Sequence, residues 1–182
     1  VAAAVVHGFS RMGQITGIAK PFGMVEARER WAFLDAGAQL ALDPLDGIRL
    51  DHAGLAADEA MAQVRRLQGQ LREAGCQVGV LRIAGGMAVP EIRGLLSHPG
   101  FAAGIDGVIL AAADAMSAAE GAHRIGELGL PLMAVSGALT RSPLASREAL
   151  AALDVPVLAA SDLSRPATLQ RLLSGVLPPA CA

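Results

Sequence analysis

The sequence predicts an α/β fold: a mostly parallel sheet with flanking helices, in a Rossmann-like or flavodoxin-like three-layer architecture. Four short apolar runs start 25 to 29 residues apart, each followed by a helix-like stretch, at residues 76–83, 105–113, 130–135 and 155–160. Parallel strands need such a crossover, which a hairpin cannot supply. Because open α/β sheets bind ligands beyond the carboxyl ends of their strands, the fold also predicts where a ligand lies.

Length and composition fit one globular domain. The chain has 182 residues, and its 53% hydrophobic content excludes a disordered polypeptide. We expect a single α/β domain over residues 1–182, with a less regular opening at 1–54, regular βα units at 55–176 and a tail at 177–182. No stretch reaches the roughly 18 uninterrupted apolar residues of a membrane span, so we expect a soluble protein with no membrane partner.

Charge and aromatic content argue against a nucleic-acid partner. The net charge is −2, and aromatic residues make up 3% of the chain, so both the electrostatic attraction and the stacking surface for bases are lacking. Cys76 lies in a predicted buried strand and Cys181 in the tail, which favours reduced thiols and a cytoplasmic location. The first residues lack the basic segment of a signal peptide, and a start at Val1 leaves the completeness of the N-terminus open.

The opening segment divides at its glycines. The apolar residues 2–7 predict a first buried strand, and four glycines then indicate a loop, at Gly8, Gly13, Gly17 and Gly23. A helix at 24–36 and a short strand at 38–42 follow. The segment 43–54 carries three aspartates and several turn-favouring residues, so we expect an exposed excursion there.

The regular part begins with the helix expected at 55–74, whose apolar residues recur at helical spacing and which Gly75 ends. Two later helices have capping signals at their predicted N-termini. Ser117 and Glu120 form a capping-box pattern, and Ser142 precedes a proline suited to the first helical turn.

The candidate ligand site consists of the segments that follow the predicted strands. Small residues allow close backbone approach, hydroxyls give directional hydrogen bonds, and arginine pairs with phosphate or carboxylate. The candidate binding residues are Gly85, Gly86, Asp114, Ser117, Ser136, Gly137, Thr140, Arg141, Ser142, Ser161, Asp162 and Arg165. The segment 136–142 is the richest, although turn and cap hydrogen bonds explain the same residues.

The opening loop is a second candidate site. Residues 8–17 are glycine-rich but match neither the dinucleotide fingerprint nor the Walker A motif. Gly8 and Gly13 remain candidates for a looser phosphate-binding loop, with a flexible connection as the alternative.

Histidine supplies the candidate acid and base groups, because imidazole titrates near neutral pH. His7 and His52 are the candidate catalytic residues, although His52 is more simply explained as a polar residue on the protein surface. The histidines and cysteines lack zinc-ligand spacing, so no metal site is expected, and no serine lies in a Gly-x-Ser-x-Gly elbow.

One resemblance rests on the alternation of predicted strands and helices in residues 64–137. The runs Leu71-Arg-Glu-Ala-Gly75, Ile105-Asp-Gly-Val-Ile-Leu110 and Leu128-Gly-Leu-Pro-Leu-Met-Ala-Val135 are similar to one lobe of a type I periplasmic-binding or related effector-binding fold. The sequence shows no second lobe and no helix-turn-helix. The resemblance therefore implies an α/β fold and neither transport nor transcriptional control.

The sequence favours a small-molecule-binding α/β domain, alone or within an enzyme assembly, that accepts a phosphorylated or carboxylated ligand at the carboxyl ends of its strands. One alternative is a transferase, lyase or hydrolase that uses His7 or His52 for proton transfer and Arg141 or Arg165 for charge stabilisation. Another is an interaction subunit without a ligand. The sequence identifies no cofactor, and a homo-oligomer and an enzyme subunit are both compatible with it.

Overall fold

The computed structural model describes residues 1–47 and 53–174. These residues form two compact units, one comprising Ala2–Ala103 and the other drawn from Gly104–Ala182. We call them the N-terminal and C-terminal units. Every described strand pair is parallel and helices flank both sheets, so the predicted α/β fold is confirmed. The expectation of a single domain over 1–182 stays a prediction.

The N-terminal unit contains a three-stranded sheet in the order β2-β1-β3. Its strands are β1 (Thr16–Ala19), β2 (Leu40–Leu42) and β3 (Val78–Leu81). Its helices are α1 (Ala2–Arg11), α2 (Ala27–Asp35), α3 (Ala57–Glu73), α4 (Pro90–Leu96) and α5 (Pro99–Ala102).

Alternation along β1 assigns the helices to opposite faces of this sheet. Ile18 is fully buried against residues of α1 and α2, including Val6 and Phe33. Ala19 points to the other face and packs with Leu67 and Leu71 of α3. The unit therefore has three layers, with α1 and α2 on one side of the sheet and α3 on the other.

The predicted strand at residues 2–7 is wrong, because this segment forms the first part of α1. Its alanines favour a helix, and a short apolar run does not by itself distinguish a buried helix from a buried strand. The loop expected around Gly17 is also wrong, since this residue lies in β1. A Cβ at Gly17 would come within 2.6 Å of Leu71 Cδ2, so the glycine lets α3 approach the strand closely.

The other opening elements agree more closely with expectation. The helix expected at 24–36 is α2, the strand expected at 38–42 is β2, and the helix expected at 55–74 is α3. Gly37 and Gly75 both have positive φ after their helices. Part of the excursion at 43–54 is a short 3-10 helix, Pro44–Asp46, and residues 48–52 lie outside the described residues.

The C-terminal unit contains a two-stranded sheet of β4 (Val108–Ala111) and β5 (Leu132–Ser136). Its helices are α6 (Ala115–Glu127), α7 (Pro143–Ala152), α8 (Ala160–Leu163) and α9 (Pro166–Leu173). Residues of α6 and α7 pack with Val135 on one face of the sheet.

The strand expected at 155–160 is reduced to one parallel bridge, between Val157 and Val135. Pro156 has no N–H to donate to a ladder, and α8 already begins at Ala160. The expected tail at 177–182 lies outside the described residues.

Candidate functional site

Three charged residues stand side by side at the carboxyl edge of the β2-β1-β3 sheet. Ala19 pairs in register with Leu42 on one side and Leu81 on the other, so the next residues along the three strands are Lys20, Asp43 and Arg82. Backbone hydrogen bonds continue past the strands, from Lys20 N–H to the Leu42 carbonyl (3.0 Å) and from Arg82 N–H to the Ala19 carbonyl (2.8 Å).

The strand period places these charged side chains on the α2 side of the sheet. Lys20 follows Ile18 by two residues, and Arg82 follows Val80 by two; both preceding residues belong to the cluster packed under α1 and α2. The third residue, Asp43, follows Ala41 of the same cluster. The three are therefore directed toward α2, which connects β1 to β2.

Glu29 of α2 joins the two cations. Its Oε2 lies 2.7 Å from Lys20 Nζ, and its Oε1 lies 2.7 Å from Arg82 Nη1. Lys20 Nζ also donates to the Met24 carbonyl at 2.7 Å. The exposed fractions of the side chains rise from 7% for Lys20 through 20% for Glu29 to 35% for Arg82. One carboxylate thus stands against two positive charges, and the pair of cations with Glu29 is called the Lys-Glu-Arg triad below.

The hydrogen bonding of the triad is incomplete. Arg82 Nη1 is buried and close to Glu29, but no described acceptor lies along its N–H directions. The contacts seen for Lys20 Nζ use two of the three donors of an ammonium group. A ligand that offers anionic oxygens in better alignment would complete the hydrogen bonding of these donors.

A second ion-pair group lies next to the triad. Arg30 Nη1 is 3.4 Å from Asp43 Oδ2 and 3.4 Å from Asp46 Oδ2. The charged side chains that border a cavity of about 10 Å³ include Lys20 and Glu29 of the triad and Arg30 and Asp43 of this second group, and its apolar lining includes Met24, Phe33 and Leu42. This space holds about one water molecule.

Amide side chains of α3 hold the loops that follow β1 and β2. Gln63, which is 1% exposed, donates from Nε2 to the Pro21 carbonyl at 2.9 Å. Gln70 donates from Nε2 to the Asp46 carbonyl at 2.9 Å. The residue after Lys20 and the residue that pairs with Arg30 are therefore both fixed to the helix on the opposite face.

The predicted residues of the opening segment lie at the other edge of this sheet. His7 and Gly8 belong to α1, which ends at Arg11 before β1 begins. His7 Nδ1 is 3.3 Å from the Ala36 carbonyl, just before β2, and Gly13 lies in the turn between α1 and β1 with φ +78°. The loop expected at residues 8–17 is thus a helix end, a turn and the start of a strand. His52 lies outside the described residues.

Gly85 and Gly86 are the predicted residues at the same edge as the triad. Both are exposed and follow β3, and Gly85 has φ +117°. The loops after β1 and β3 adjoin, because a Cβ at Gly23 would lie 3.3 Å from Lys20 Cε and 3.4 Å from the Ala84 Cβ.

In the C-terminal unit, Asp114 and Ser117 cap α6. The Asp114 carboxylate accepts the Ser117 N–H at 2.7 Å, and this bond holds the pKa of Asp114 below its usual value. The capping box expected between Ser117 and Glu120 is wrong, because the cap position belongs to Asp114 and Glu120 pairs with Arg124 instead.

The hydroxyls of residues 136–142 do not converge on one point. Thr140 Oγ1 donates to the Gly137 carbonyl at 2.8 Å, and Ser142 Oγ accepts from the backbone of α7, which confirms the predicted helix start. Ser136 is fully buried, its hydroxyl has no hydrogen-bond partner among the described residues, and alternation directs it away from the face on which Val135 meets α6 and α7. Arg141 is exposed.

The last predicted group, Ser161, Asp162 and Arg165, makes local contacts around α8. Asp162 accepts the Ala159 N–H at 3.1 Å and lies 3.3 Å from Arg165 Nη1. The Ser161 carbonyl accepts from Ser164. Local backbone bonds, the cap bond of Asp162 and its ion pair with Arg165 account for the contacts seen at these three residues.

Two other kinds of feature are absent from the described residues. Within residues 1–47 and 53–174, no three His, Cys, Asp or Glu side chains are grouped closely enough to hold a metal ion. In the same part of the chain, no helix combines the length and the apolar character needed to cross a membrane.

Sequence reasoning did not identify Lys20, Glu29 and Arg82. A usable signal was present, because an apolar residue is followed two positions later by a charged residue at the end of all three strands of this sheet. In comparisons with known proteins, no protein-family model and no curated sequence matches the chain.

Proposed function

We propose that this protein binds a small molecule carrying a phosphate or a carboxylate at the carboxyl edge of the β2-β1-β3 sheet. The observation that carries the proposal is the Lys-Glu-Arg triad, in which cations from adjacent strands share one carboxylate and Arg82 Nη1 lacks an aligned acceptor. The candidate residues Gly85 and Gly86 belong to the same edge and would let a ligand approach the backbone.

The strand order supports this location. In a Rossmann-like or flavodoxin-like sheet, the ligand lies where the chain changes direction, which for the order β2-β1-β3 is the boundary between β1 and β3. Lys20 and Arg82 follow these two strands. The N-terminus of α2 faces the same edge, and its cap residue Glu26 supplies no side-chain hydrogen bond, so the partial positive charge of the helix start offsets part of the charge of the carboxylates there.

We also propose a cellular location for the protein and a class of partner for this site. We infer a cytoplasmic protein, because Cys76 is a half-buried free thiol. We also infer that the partner is a small molecule rather than nucleic acid or a membrane, and that the domain acts alone, as a homo-oligomer or within an enzyme assembly. The enzymatic alternative with a histidine base gains no support from His7, whose recorded contact is with the backbone before β2.

The test is ligand-dependent thermal stabilisation against phosphorylated metabolites, nucleotides, coenzyme A derivatives and simple carboxylates. A ligand at about 100 times its dissociation constant adds roughly 2.7 kcal/mol to the free energy of unfolding. We expect Arg82→Ala to weaken binding by about 10- to 100-fold, the value of a hydrogen bond to a charged group. Arg11→Ala removes the same charge at the other edge of the sheet and should leave binding unchanged.

One further variant and one spectrum locate the ligand. Lys20 is the only lysine in the chain, so selective ¹⁵N-lysine labelling gives one ammonium resonance, which ligand binding should shift. A ligand whose binding is lost in Arg141→Ala and retained in Arg82→Ala would place the site after β5 and contradict the proposal. No stabilisation by any compound would favour the interaction subunit instead.

A further inference from the structure

We propose that Glu29 occupies the place of the ligand's own anion, and that a bound carboxylate or phosphate displaces Glu29 from Lys20 and Arg82. This inference rests on the proposed function. It adds the group that the ligand replaces, the shape of the anion that fits, and a movement of α2 that accompanies binding.

The contacts of Glu29 define the anion. Each carboxylate oxygen meets one cation at 2.7 Å, so the two nitrogens are spaced to receive two oxygens bonded to one central atom. A ligand carboxylate has this shape, and a phosphate monoester presents the same pair of oxygens. A sulfur, an amine or a single hydroxyl does not satisfy both cations.

Displacement follows from the positions of the two Glu29 oxygens. Each of them already lies 2.7 Å from one cation, and the cavity of about 10 Å³ beside Lys20 and Glu29 holds about one water rather than an anion. Glu29 is the negatively charged member of the triad, so it is the group that an incoming anion replaces. Lys20 is 7% exposed and stays in place.

Residues 24–28, which precede Glu29, are exposed. Met24 is 75% exposed, and the contact recorded for it with the sheet edge is the bond from Lys20 to its carbonyl. Glu29 lies in the first turn of α2, behind a cap residue without a side-chain hydrogen bond. Release of Glu29 removes one of the ties between this turn and the ends of β1 and β3.

The chain carries its own reporter of this movement. Trp31 is the only tryptophan, lies two residues after Glu29 on α2 and is 64% exposed. Its fluorescence therefore reports the environment of α2 without interference from another indole.

The experiment titrates wild type, Glu29→Gln and Asp35→Asn with inorganic phosphate and, in a separate arm, with acetate, reading Trp31 fluorescence and the melting temperature. Asp35 is exposed on the same helix, so its variant controls for the loss of one negative charge. We expect Glu29→Gln to bind at least one of the two anions about tenfold more tightly than wild type, because no ion pair has to be broken first. The arm with the larger change distinguishes phosphate from carboxylate.

A second readout uses stability. Without an anion, Glu29→Gln should melt below wild type, since it leaves Lys20 buried without its counter-ion. At 100 times the dissociation constant the anion should raise the melting temperature of the variant by about 5–10 °C, more than that of wild type at the same concentration. Asp35→Asn should behave as wild type does.

The outcomes separate this inference from the proposed function. Binding to wild type with equal or weaker binding to Glu29→Gln would overturn the displacement and leave the proposed site standing. Binding to Glu29→Gln alone would support the displacement and overturn the proposed function. Absence of binding to either protein would overturn both. If Glu29→Gln does not fold, a shift of the Lys20 resonance in wild type without a change in Trp31 fluorescence contradicts the displacement.

Discussion

Replacement of Gly137 by alanine tests the close approach of the backbone at the end of β5. Gly137 has φ +112°, and a Cβ there would lie 2.4 Å from the Ala112 carbonyl oxygen and 2.7 Å from the Ala112 nitrogen. Both atoms are engaged, because the nitrogen donates to the Ser136 carbonyl at 2.8 Å and the oxygen accepts from Leu139 at 3.3 Å. The neighbour cannot retreat without weakening these two bonds.

The expected loss of stability has two parts. A non-glycine residue held at this φ costs about 1–3 kcal/mol, and an atom forced into a packed site costs about 1–3 kcal/mol more. Gly137→Ala should therefore lower the free energy of unfolding by about 2–6 kcal/mol. The melting temperature should fall by roughly 5 °C or more.

Urea unfolding followed by far-ultraviolet circular dichroism measures this loss. Gly126→Ala is the matched control in the same unit, because Gly126 lies in α6 with nothing within 4 Å of its added Cβ. Alanine at that helical position should stabilise the protein by roughly 0.5–1 kcal/mol. A Gly137→Ala protein within about 0.5 kcal/mol of wild type, the range of an ordinary surface change, would refute the reasoning.

Three other predictions concern hydrogen bonding and ionisation. Gln63→Leu leaves the Pro21 carbonyl without its donor, so the urea midpoint should correspond to a loss of about 1–3 kcal/mol in the free energy of unfolding. Anion binding by Lys20 should weaken as well. An unchanged urea midpoint would contradict the role given to Gln63. The pKa of Asp114 is lowered in the folded state, so the unfolded chain takes up the proton first and stability falls as the pH drops through and below the usual aspartate range. The Asp114→Asn protein should lack that part of the fall in stability at acidic pH. Urea midpoints of the variant and of wild type, measured at several acidic pH values, test this expectation. Burial raises the pKa of the Cys76 thiol, so in a Cys181→Ala protein it should react with a disulfide reagent at neutral pH more slowly than free cysteine does, and equally fast only in urea.

The sequence predicted those elements in which a strong period and end signals agree. The helix α3 combines apolar residues at helical spacing, two carboxylates in its first turn and a glycine after its end, and the structure confirms all three. The cores of the strands expected at 76–83, 105–113 and 130–135 are likewise strands. Their bounds are shorter than the apolar runs, because apolar residues continue into the turns that pack against the sheet.

One wrong element explains why the triad was missed. A first strand at residues 2–7 puts the carboxyl edge of the sheet at His7 and Gly8, and it leaves Lys20 in the loop that follows. The first strand is instead β1, and Lys20 is the residue that follows it. Arg82 is missed for a related reason. The expected strand 76–83 contains it, whereas β3 ends at Leu81, one residue before it. The partner Glu29 comes from a helix, and no local pattern relates it to two distant strand ends.

The amide hydrogen bonds made by α3 and the ion pair of Arg82 with Glu29 differ in their dependence on ionic strength. Gln63 and Gln70 are uncharged, and they fix the carbonyls of Pro21 and Asp46 by bonds that dissolved salt does not screen. The ion pair of Arg82 with Glu29, in contrast, lies partly in solvent, where dissolved ions compete for both charged groups. Added salt should therefore weaken this ion pair while the amide hydrogen bonds to Pro21 and Asp46 stay in place.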